Sequence, residues 1–574
     1  MSDKEKPKGL AQGLTNYGDA GFAVYLRRSF AKSMGYSSEM LARPVVGIAY
    51  TPSGFNNCHR HFPEMLEAVK RGVIAAGGLP LEFPTVSLGE VFLSPTSLVY
   101  RNLMSMDTEE MVQAQPLDSV VLIGGCDKTV PAQLMGAASA GKPAIQLVAG
   151  PMMTSRYGDE RLGACTDCRR FWGKYRAGDV SEKEIQTIEG GLATTAGTCS
   201  VMGTASTMAC VAEGLGMMLP GTAAIPAVHA DRLRAAEATG RRAVELIGSD
   251  LTPARIMTDR SIENALRVLL ALGGSTNAIV HLTAIVGRLG LNISLDRLNA
   301  LSDTTPVLVN LKPTGRYYME DFFAAGGMSA VLRELEPLLN LDCMTIAGET
   351  LGDRIASEKD AYVDRNVIAS AADPIEEVGG LVAVFGSLAP RGAILKRSAA
   401  DKNLFEKEGR AVVFSSLEDL GARIDDPDLD VTADDFLVLQ NAGPKSPSGM
   451  PEAGYLPIPA KLARVGVKDM VRLSDARMSG TAFGTIVLHI SPDAASGGPL
   501  ALVKNGDRIR LSVKDRTIDL LVDETELASR RHEHEKQEKT APPSRGYRKL
   551  YHDTVLQADE GCDFDFLLGE KQGE

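Results

Sequence analysis

Residues 119–150 read SVVLIGGCDKTVPAQLMGAASAGKPAIQLVAG, in which two apolar runs stand on either side of a short segment with helical character. The runs SVVLIGG and PAIQLVAG have the length and composition of strands that are buried on both faces. A strand, a helix and a strand in this order favour a mostly parallel sheet covered by helices. Ligands of such sheets gather where strands end, which makes the GGCDKT turn a candidate functional position.

The same alternation of apolar runs and helical patterns extends over about the first 370 residues. RPVVGIAY, residues 43–50, is another strand candidate. The apolar residues that share one helical face in the segment after it are Met65, Leu66, Val69 and Val73. Residues 261–272 repeat this spacing and stop at Gly273, which is typical of a helix C-terminus. We therefore predict an α/β fold whose large N-terminal domain contains parallel sheets covered by helices.

The pattern changes after about residue 375, where short β-type runs are separated by turns. These candidate strands are GGLVAVFG, AVVFSS, DFLVLQ, TIVLHI, DRIRLSV and TIDLLV. They predict a second, β-rich and barrel-like domain. A chain of 574 residues is several times the commonest domain size, so more than one core is expected. We place the two domains at residues 1–375 and 376–574, and we expect them to complete one site between them.

Composition excludes several classes of protein. The net charge of −12 argues against a surface made mainly for nucleic acid, which needs concentrated Lys and Arg. No run approaches the roughly 18 to 20 apolar residues of a membrane span, and the start MSDKEKPKGL lacks the apolar stretch of a signal peptide. We expect a soluble cytoplasmic protein without nucleic-acid or membrane partners. Eight cysteines in 574 residues are too few for a disulfide scaffold.

Three cysteines follow or interrupt the apparent strands of the N-terminal part. They are Cys58 in TPSGFNNCHRHF, Cys126 in LIGGCDKT and Cys199 in TAGTCSVMGTAS. Cysteines at strand ends could meet at one sheet edge and bind a soft metal or an iron–sulfur cluster through their thiolates. The alternative is three reduced, partly buried thiols without a ligand.

Acidic residues stand at comparable positions. Asp127 and Lys128 directly follow Cys126, and Glu90 closes the segment FPTVSLGE. Carboxylates that converge at a strand-end crevice suit a hard cation such as Mg²⁺, which prefers oxygen ligands. The alternative for Asp127 and Lys128 is a solvated salt pair on the surface.

Two loops of the C-terminal part add candidates. QNAGPKSPSGMPEAGY presents Glu452, and RLSDARMSGTAFG contains Ser479 and Thr481 in a turn whose N–H groups could stabilise an oxyanion. Most serines in turns have only a structural role, and no G-x-S-x-G motif accompanies this one, so a hydrolase is not indicated. Motifs for nucleotide binding and for zinc peptidases are also absent from the sequence.

Two further pairs have competing interpretations. Cys165 and Cys168 form a C-x-x-C pair, which is either a redox pair or two thiols at the start of a helix. His532 and His534 lie in the charged stretch SRRHEHEKQEKTAPPSR, which we interpret as a solvated helix end and linker rather than a metal site.

Five strings occur in an order that resembles the dihydroxy-acid and sugar-acid dehydratase family. They are GGCDKT, AGTCSVMGTASTMA, LGGSTNAIVHL, NAGPKSPSGMPE and SDARMSGTAFGT, and the resemblance spans about residues 18 to 570. PTSLVYRNL, the lysine of GCDKT and VLHISPDAASGGPLALVKNGD look most similar to the pentonate-type members, such as those acting on L-arabinonate. The resemblance implies a homodimer or a homotetramer.

The resemblance also implies two cofactors and a base. The implied ligands are Cys58, Cys126 and Cys199 for a [2Fe-2S] cluster with one open iron position, and Glu90, Asp127, Glu452 and a carbamylated Lys128 for Mg²⁺. The implied base is Ser479 as an alkoxide, with Thr481 as the second catalytic residue. The implied reaction is dehydration of a sugar acid such as L-arabinonate or D-xylonate to a 2-keto-3-deoxy acid.

The sequence departs from the family pattern around the first cysteine. The usual Cys-Asn-x-His is here CHRH at residues 58–61, and the preceding loop carries Gly54 and Phe55. A bulky Phe55 would favour a shorter or less hydroxylated acid, and His59 is either a partner of the site or an exposed loop residue. Two alternatives therefore stay open: a dihydroxy-acid dehydratase that forms 2-ketoisovalerate, and an iron–sulfur or thiol redox protein.

Overall fold

The structure is a computed structural model that describes residues 8–14, 17–536 and 541–570. Its strands are β1 Val45–Tyr50, β2 Leu79–Pro84, β3 Ser119–Gly124, β4 Ala144–Val148, β5 Ser155–Tyr157, β6 Glu160–Leu162, β7 Val382–Val384, β8 Gly392–Leu395, β9 Glu406–Phe414, β10 Phe436–Leu439, β11 Arg472–Ser474, β12 Ile486–Ser491, β13 Arg508–Ser512 and β14 Thr517–Leu520.

The α-helices are α1 Ala20–Ser33, α2 Phe62–Ala75, α3 Ser97–Ala114, α4 Thr129–Ala140, α5 Thr166–Ala177, α6 Glu182–Leu192, α7 Thr204–Gly214, α8 Ala230–Glu245, α9 Pro253–Ile256, α10 Asp259–Ala271, α11 Asn277–Gly287, α12 Leu295–Ser302, α13 Met319–Ala324, α14 Gly327–Leu335, α15 Leu351–Ser357, α16 Leu417–Arg423, α17 Ala460–Arg464, α18 Glu524–Lys536 and α19 Gly546–Thr554.

A parallel sheet with the order β2-β1-β3-β4 lies in the N-terminal part. Strands β1, β3 and β4 are almost wholly buried, which explains why their sequences are continuous apolar runs. The connection from β3 to β4 is helix α4, as residues 119–150 predict. Helix α2 buries Met65, Leu66, Val69 and Val73, as its spacing predicts.

The C-terminal part contains a sheet of eight described strands in the order β14-β13-β9-β10-β11-β12-β8-β7. Its two outer strands approach each other, because the Phe385 N–H donates to the Arg516 carbonyl at 2.9 Å and the Ile518 N–H donates to the Phe385 carbonyl at 2.7 Å. The sheet is therefore nearly closed and barrel-like. The predicted fold class is confirmed, with a parallel sheet and helices followed by a β-rich unit.

Two apolar cores correspond to these parts. The larger one joins the parallel sheet to α7, α10 and α11, and the predicted helix at residues 261–272 is α10, followed by Gly273 at φ 54°. The second core fills the barrel-like sheet. The domain boundary at residue 375 stays a prediction. Within the described ranges, no helix is both long enough and apolar enough to cross a membrane.

Candidate active site

The predicted site residues stand just beyond the ends of neighbouring strands. Cys58 follows β1, Glu90 follows β2, and Cys126, Asp127 and Lys128 follow β3. Because the three strands are parallel and adjacent, their carboxyl ends lie at one edge of the sheet. This geometry brings together side chains that are far apart in the sequence.

Glu90, Asp127 and Glu452 form a carboxylate cluster in which one oxygen of each residue lies within 4.8 Å of the others. The fully buried Lys128 lies among them. Its Nζ donates to Glu90 Oε2 at 2.9 Å and lies 3.7 Å from Asp127 Oδ2 and 3.9 Å from Glu452 Oε1. The solvated surface pair considered for Asp127 and Lys128 is wrong, because the lysine has no exposed surface.

Arg477 completes this cluster, and sequence reasoning missed it. Its buried guanidinium donates to Glu452 Oε1 at 2.6 Å through Nη1 and to Glu90 Oε1 at 3.1 Å through Nη2. Asn277 also donates to Glu452, at 3.1 Å. The one available signal was the position of Arg477 two residues before Ser479 in the quoted motif.

The surrounding charges and burial give Glu90 and Asp127 very different pKa values. Burial raises the pKa of Glu90, but the positive charges of Lys128 and Arg477 outweigh it and lower that pKa to about 2. Burial raises the pKa of Asp127 to about 7, with Lys128 opposing the rise and the charge of Glu90 adding to it. The cluster thus has a surplus of negative charge that a bound cation would stabilise.

The thiols predicted at the strand ends also come together. Cys126 donates a hydrogen bond to Cys58, and this contact and burial raise the pKa of Cys126. The contact with Cys165 and burial raise the pKa of Cys199, and the charges of Asp127 and Cys58 add to the rise. The thiol of Cys165 lies beside that of Cys199, with 3.3 Å between the two Sγ atoms.

Cys165 is a second residue whose position was not anticipated. It stands at the N-cap position of α5 without a capping hydrogen bond from its side chain, and Cys168 lies in the first turn, so both thiols are at the start of a helix. Hydrogen bonds from Cys168 and Cys199 lower the pKa of its thiol. The sequence signal for Cys165 was the C-x-x-C motif itself, but nothing in that motif indicates the contact with Cys199.

The loop before Cys58 contains one buried and one exposed side chain. His59 is buried, and its Nε2 accepts a hydrogen bond from the Cys126 N–H at 3.1 Å. This contact favours the interpretation of His59 as a partner of the site. Phe55 is 75% exposed and packs edge-on against Phe92, with ring centroids 6.4 Å apart. Within this chain, Phe55 therefore does not narrow an enclosed pocket.

The turn with Ser479 directly follows Arg477 in the chain and contacts Thr166 at the start of α5. Ser479 Oγ is 2.8 Å from Thr481 Oγ1, and both residues are almost wholly buried. Gly480 packs so tightly that an added Cβ would lie 2.7 Å from the Ser275 Cβ. A larger residue at position 480 would displace the turn, so the glycine is required by close approach.

These donor sets fit two kinds of inorganic group. Carboxylate oxygens within 4.8 Å of one another suit Mg²⁺, and two pairs of neighbouring thiols, Cys58 with Cys126 and Cys165 with Cys199, are donors of the kind that iron–sulfur clusters take. In the part of the chain that the structure describes, no other group of three His, Cys, Asp or Glu side chains has metal-binding spacing. His532 and His534 lie on α18, where His532 is exposed and His534 half-buried, and their interpretation as solvated residues stays a prediction.

Comparisons with known proteins show the family of the chain. Residues 43–354 match the model of the dihydroxy-acid/6-phosphogluconate dehydratase N-terminal region, and residues 366–562 match that of the C-terminal region. The chain is 45% identical to an L-arabinonate dehydratase of Rhizobium leguminosarum bv. trifolii, over 96% of this chain and 95% of the relative.

Two other relatives are named for different substrates. A 6-deoxy-6-sulfo-D-gluconate dehydratase of Pseudomonas putida is 44% identical over 92% of this chain and 91% of its own. A dihydroxy-acid dehydratase of Caldicellulosiruptor bescii is 40% identical over 89% of this chain and 93% of its own. The resemblance drawn from the motifs is confirmed. The chain belongs to the dihydroxy-acid/6-phosphogluconate dehydratase family of hydro-lyases.

Proposed function

We propose that this protein dehydrates a sugar acid, an aldonate such as L-arabinonate or D-xylonate, to a 2-keto-3-deoxy acid. The observation that carries the proposal is the carboxylate cluster around Lys128, which Arg477 joins to the turn with Ser479. A hard-cation site next to a buried serine suits removal of a proton from a substrate that carries a carboxylate and a hydroxyl group.

The relatives support the substrate class. Two relatives with 44% and 45% identity are named for sugar acids, whereas the dihydroxy-acid dehydratase has 40% identity. The sugar-acid relatives have the higher identity over a similar share of the chain. This difference favours a polyhydroxylated substrate over a branched alkyl acid.

We assign the ligand roles to two sets of side chains. Cys58, Cys126 and Cys199 would hold a [2Fe-2S] cluster, and Glu90, Asp127 and Glu452 would hold Mg²⁺. When bound, the two groups supply Lewis acidity toward the hydroxyl and carboxylate oxygens of the substrate. His59 fixes the backbone at Cys126 through its hydrogen bond.

Ser479 is the proposed base. Its Oγ would take the proton from C2 of the substrate, and the hydroxyl of Thr481, 2.8 Å away, would stabilise the Ser479 oxygen before that transfer. The C2–H and C3–O bonds break. Ser479, acting as an alkoxide, would take up the C2 proton and pass it to the hydroxide that departs from C3, so that water leaves and the alkoxide is restored. The enol then becomes the 2-keto acid by transfer of its hydroxyl proton to C3. No electron is gained or lost, so a redox role for the cysteines is not required.

Lys128 is the proposed fourth Mg²⁺ ligand after carbamylation. An ammonium group has only donors and cannot ligate a cation, whereas a carbamate supplies oxygen atoms. The neutral amine would add to CO₂, forming an N–C bond and releasing one proton. A density map at Lys128, from crystals grown with bicarbonate and Mg²⁺, tests this assignment. A bare lysine side chain under those conditions would contradict it.

One observation favours a second candidate, dihydroxy-acid dehydration. Phe55 and Phe92 are exposed aromatic residues in the loops that carry Cys58 and Glu90. An apolar contact at this position would suit a branched alkyl tail better than a polyhydroxylated one.

A substrate panel decides between the candidates. Anaerobically purified protein is given L-arabinonate, D-xylonate, D-gluconate or 2,3-dihydroxyisovalerate, and formation of 2-keto acid is measured. We expect the largest kcat/KM with a pentonate. Turnover of 2,3-dihydroxyisovalerate alone would reject the sugar-acid proposal, and iron-dependent electron uptake without dehydration would favour a redox protein.

We further propose a homodimer or homotetramer in the cytoplasm. The exposed apolar side chains Phe55, Val91 and Phe92 beside the site support contact with a neighbouring subunit. Reduced, clustered thiols support a reducing compartment. Light scattering of the active enzyme tests the assembly, and an active monomer would contradict it.

A further inference from the structure

A fourth thiol, that of Cys165, lies beside one of the three proposed cluster ligands. Cys126 is hydrogen-bonded to Cys58, and Cys199 lies beside Cys165 with 3.3 Å between their Sγ atoms. A disulfide would require about 2.05 Å, so the second pair is not one. Two thiolates on one tetrahedral metal, with bonds of about 2.3 Å, lie roughly 3.8 Å apart. The separation of Cys165 and Cys199 is close to that value.

The position of Cys165 is held by a buried polar network. Asp167, in the first turn of α5, accepts hydrogen bonds from the Gly163 N–H at 2.9 Å, from Tyr318 Oη at 2.8 Å and from Lys312 Nζ at 3.0 Å. The Ser200 N–H, next to Cys199, donates to the Ala164 carbonyl at 3.0 Å. These contacts fix the two segments that carry the thiols against each other.

The start of α5 also contacts the turn with the proposed base. Thr166 Oγ1 donates to the Thr481 carbonyl at 3.2 Å, and an added Cβ at Gly203 would lie 2.9 Å from the Thr481 side chain. Cys165 is therefore placed beside Cys199 and next to the residue that contacts the Ser479 turn.

We propose that Cys165 is a fourth thiolate ligand of the iron–sulfur cluster and binds it while no substrate is present. The inference rests on the proposed function, which assigns that cluster to Cys58, Cys126 and Cys199. Four thiolates are the ordinary ligand set of a [2Fe-2S] cluster, so Cys165 would close the position that the substrate needs.

The exchange of Cys165 for a substrate oxygen as the iron ligand needs no redox partner. Cys165 loses its thiol proton when it binds iron, and it takes up one proton when a substrate oxygen replaces it. No sulfur–sulfur bond forms, and no electron is transferred. The substrate-free protein would thus be protected at its reactive iron by its own side chain.

Spectroscopy of three variants tests the inference. Wild type, Cys165→Ala, Cys165→Ser and the control Cys168→Ser are purified anaerobically, and iron, sulfide, absorption and the EPR signal after reduction are measured without substrate. Cys168 is a good control because it lies in the same first turn of α5 and contacts Cys165 rather than Cys199. We expect Cys168→Ser to match wild type and both Cys165 variants to show shifted absorption bands and an altered EPR signal. Identical spectra for wild type and Cys165→Ala would overturn the inference.

A measurement on the unmodified chain covers the case in which the variants do not fold. The wild-type holoprotein is treated with iodoacetamide under anaerobic conditions, with and without L-arabinonate, and alkylation at Cys165 is measured by mass spectrometry. We expect several-fold slower labelling without the sugar acid than with it. If Cys165 is labelled at the same rate with the sugar acid as without it, or more slowly with it, the inference is overturned. If the wild-type protein contains no iron, the result instead contradicts the iron–sulfur cluster of the proposed function.

Discussion

The hydroxyl of Thr166 donates a hydrogen bond to the backbone carbonyl of Thr481 at 3.2 Å, across 315 positions of the sequence. This contact joins the start of α5 in the N-terminal part to the turn with Ser479 in the C-terminal part. The site is consequently assembled from both halves of the chain. Changes in either half are expected to affect the same chemistry.

Replacement of Ser479 by Ala should lower kcat at least about 100-fold, because general base catalysis is worth 10²- to 10⁴-fold. The absorption of the cluster should not change, since the serine is not among the proposed iron ligands. Ser474→Ala is the matched control: Ser474 is also buried in this segment and donates to the Leu439 carbonyl at 3.1 Å. A Ser479→Ala enzyme with wild-type kcat would show that another group is the base.

Arg477→Met should destabilise the protein by about 3 to 5 kcal/mol in the absence of Mg²⁺, because it removes one member of a buried ion-pair group. Glu90 and Glu452 would lose the donor that they share. Added Mg²⁺ should therefore raise the thermal midpoint of the variant more than that of wild type. Arg71→Met, which breaks the exposed pair with Glu237, is the control with little effect. An equal effect of Mg²⁺ on variant and wild type would contradict a cation site at these carboxylates.

Removal of each inorganic group should have a distinct signature. Chelation of Mg²⁺ should stop turnover and leave the colour of the cluster, because the carboxylates and the thiols are separate donor sets. Cys126→Ser should lose iron, colour and activity together. Iron content, absorption and 2-keto acid formation are measured on the same samples. A colourless Cys126→Ser protein that remains active would exclude the cluster from the reaction.

His489 should make the folded protein sensitive to acid. Burial, followed by the charge of Arg477, lowers the pKa of His489 from 6.5 to about 3. The unfolded chain therefore binds more protons than the folded one between these values, and stability falls as the pH decreases through this window. Between pH 6.5 and pH 5 the loss is about 1.6 kcal/mol, because the full slope of roughly 1.4 kcal/mol per pH unit is reached only below pH 6, where the unfolded-state histidine is mostly protonated.

The variant His489→Asn tests this contribution. Asparagine tolerates the left-handed backbone of this position, where φ is 58°, and it does not titrate. When the pH is lowered from 7 to 5, the thermal midpoint of the variant should fall less than that of wild type. His532→Asn, at an exposed position on α18, should keep the wild-type dependence. The same pH dependence in wild type and His489→Asn would contradict the assignment.

Much of the fold was predictable because its signals are local. Continuous apolar runs predicted β1, β3 and β4, and alternating runs between turns predicted most strands of the C-terminal sheet. The strands β8 and β11 were missed. Charged residues stand at or next to both ends of these strands, Arg391 and Lys396 around β8 and Arg472 and Asp475 at β11, so neither strand lies in a long apolar run. Such a segment is recognised as a strand by its pairing with neighbours rather than by its own pattern.

The site residues also fall into those that the sequence predicts and those that it does not. Residues placed directly after strands, such as Asp127, could be located from the sequence because parallel strands end at a common edge. The pairing of Arg477 with Glu90 spans 387 positions, and that of Cys165 with Cys199 depends on how α5 packs. Neither contact has a local pattern. Strand ends and motifs thus follow from the order of residues, whereas the charge balance of the carboxylates and the fourth thiol depend on packing between distant segments.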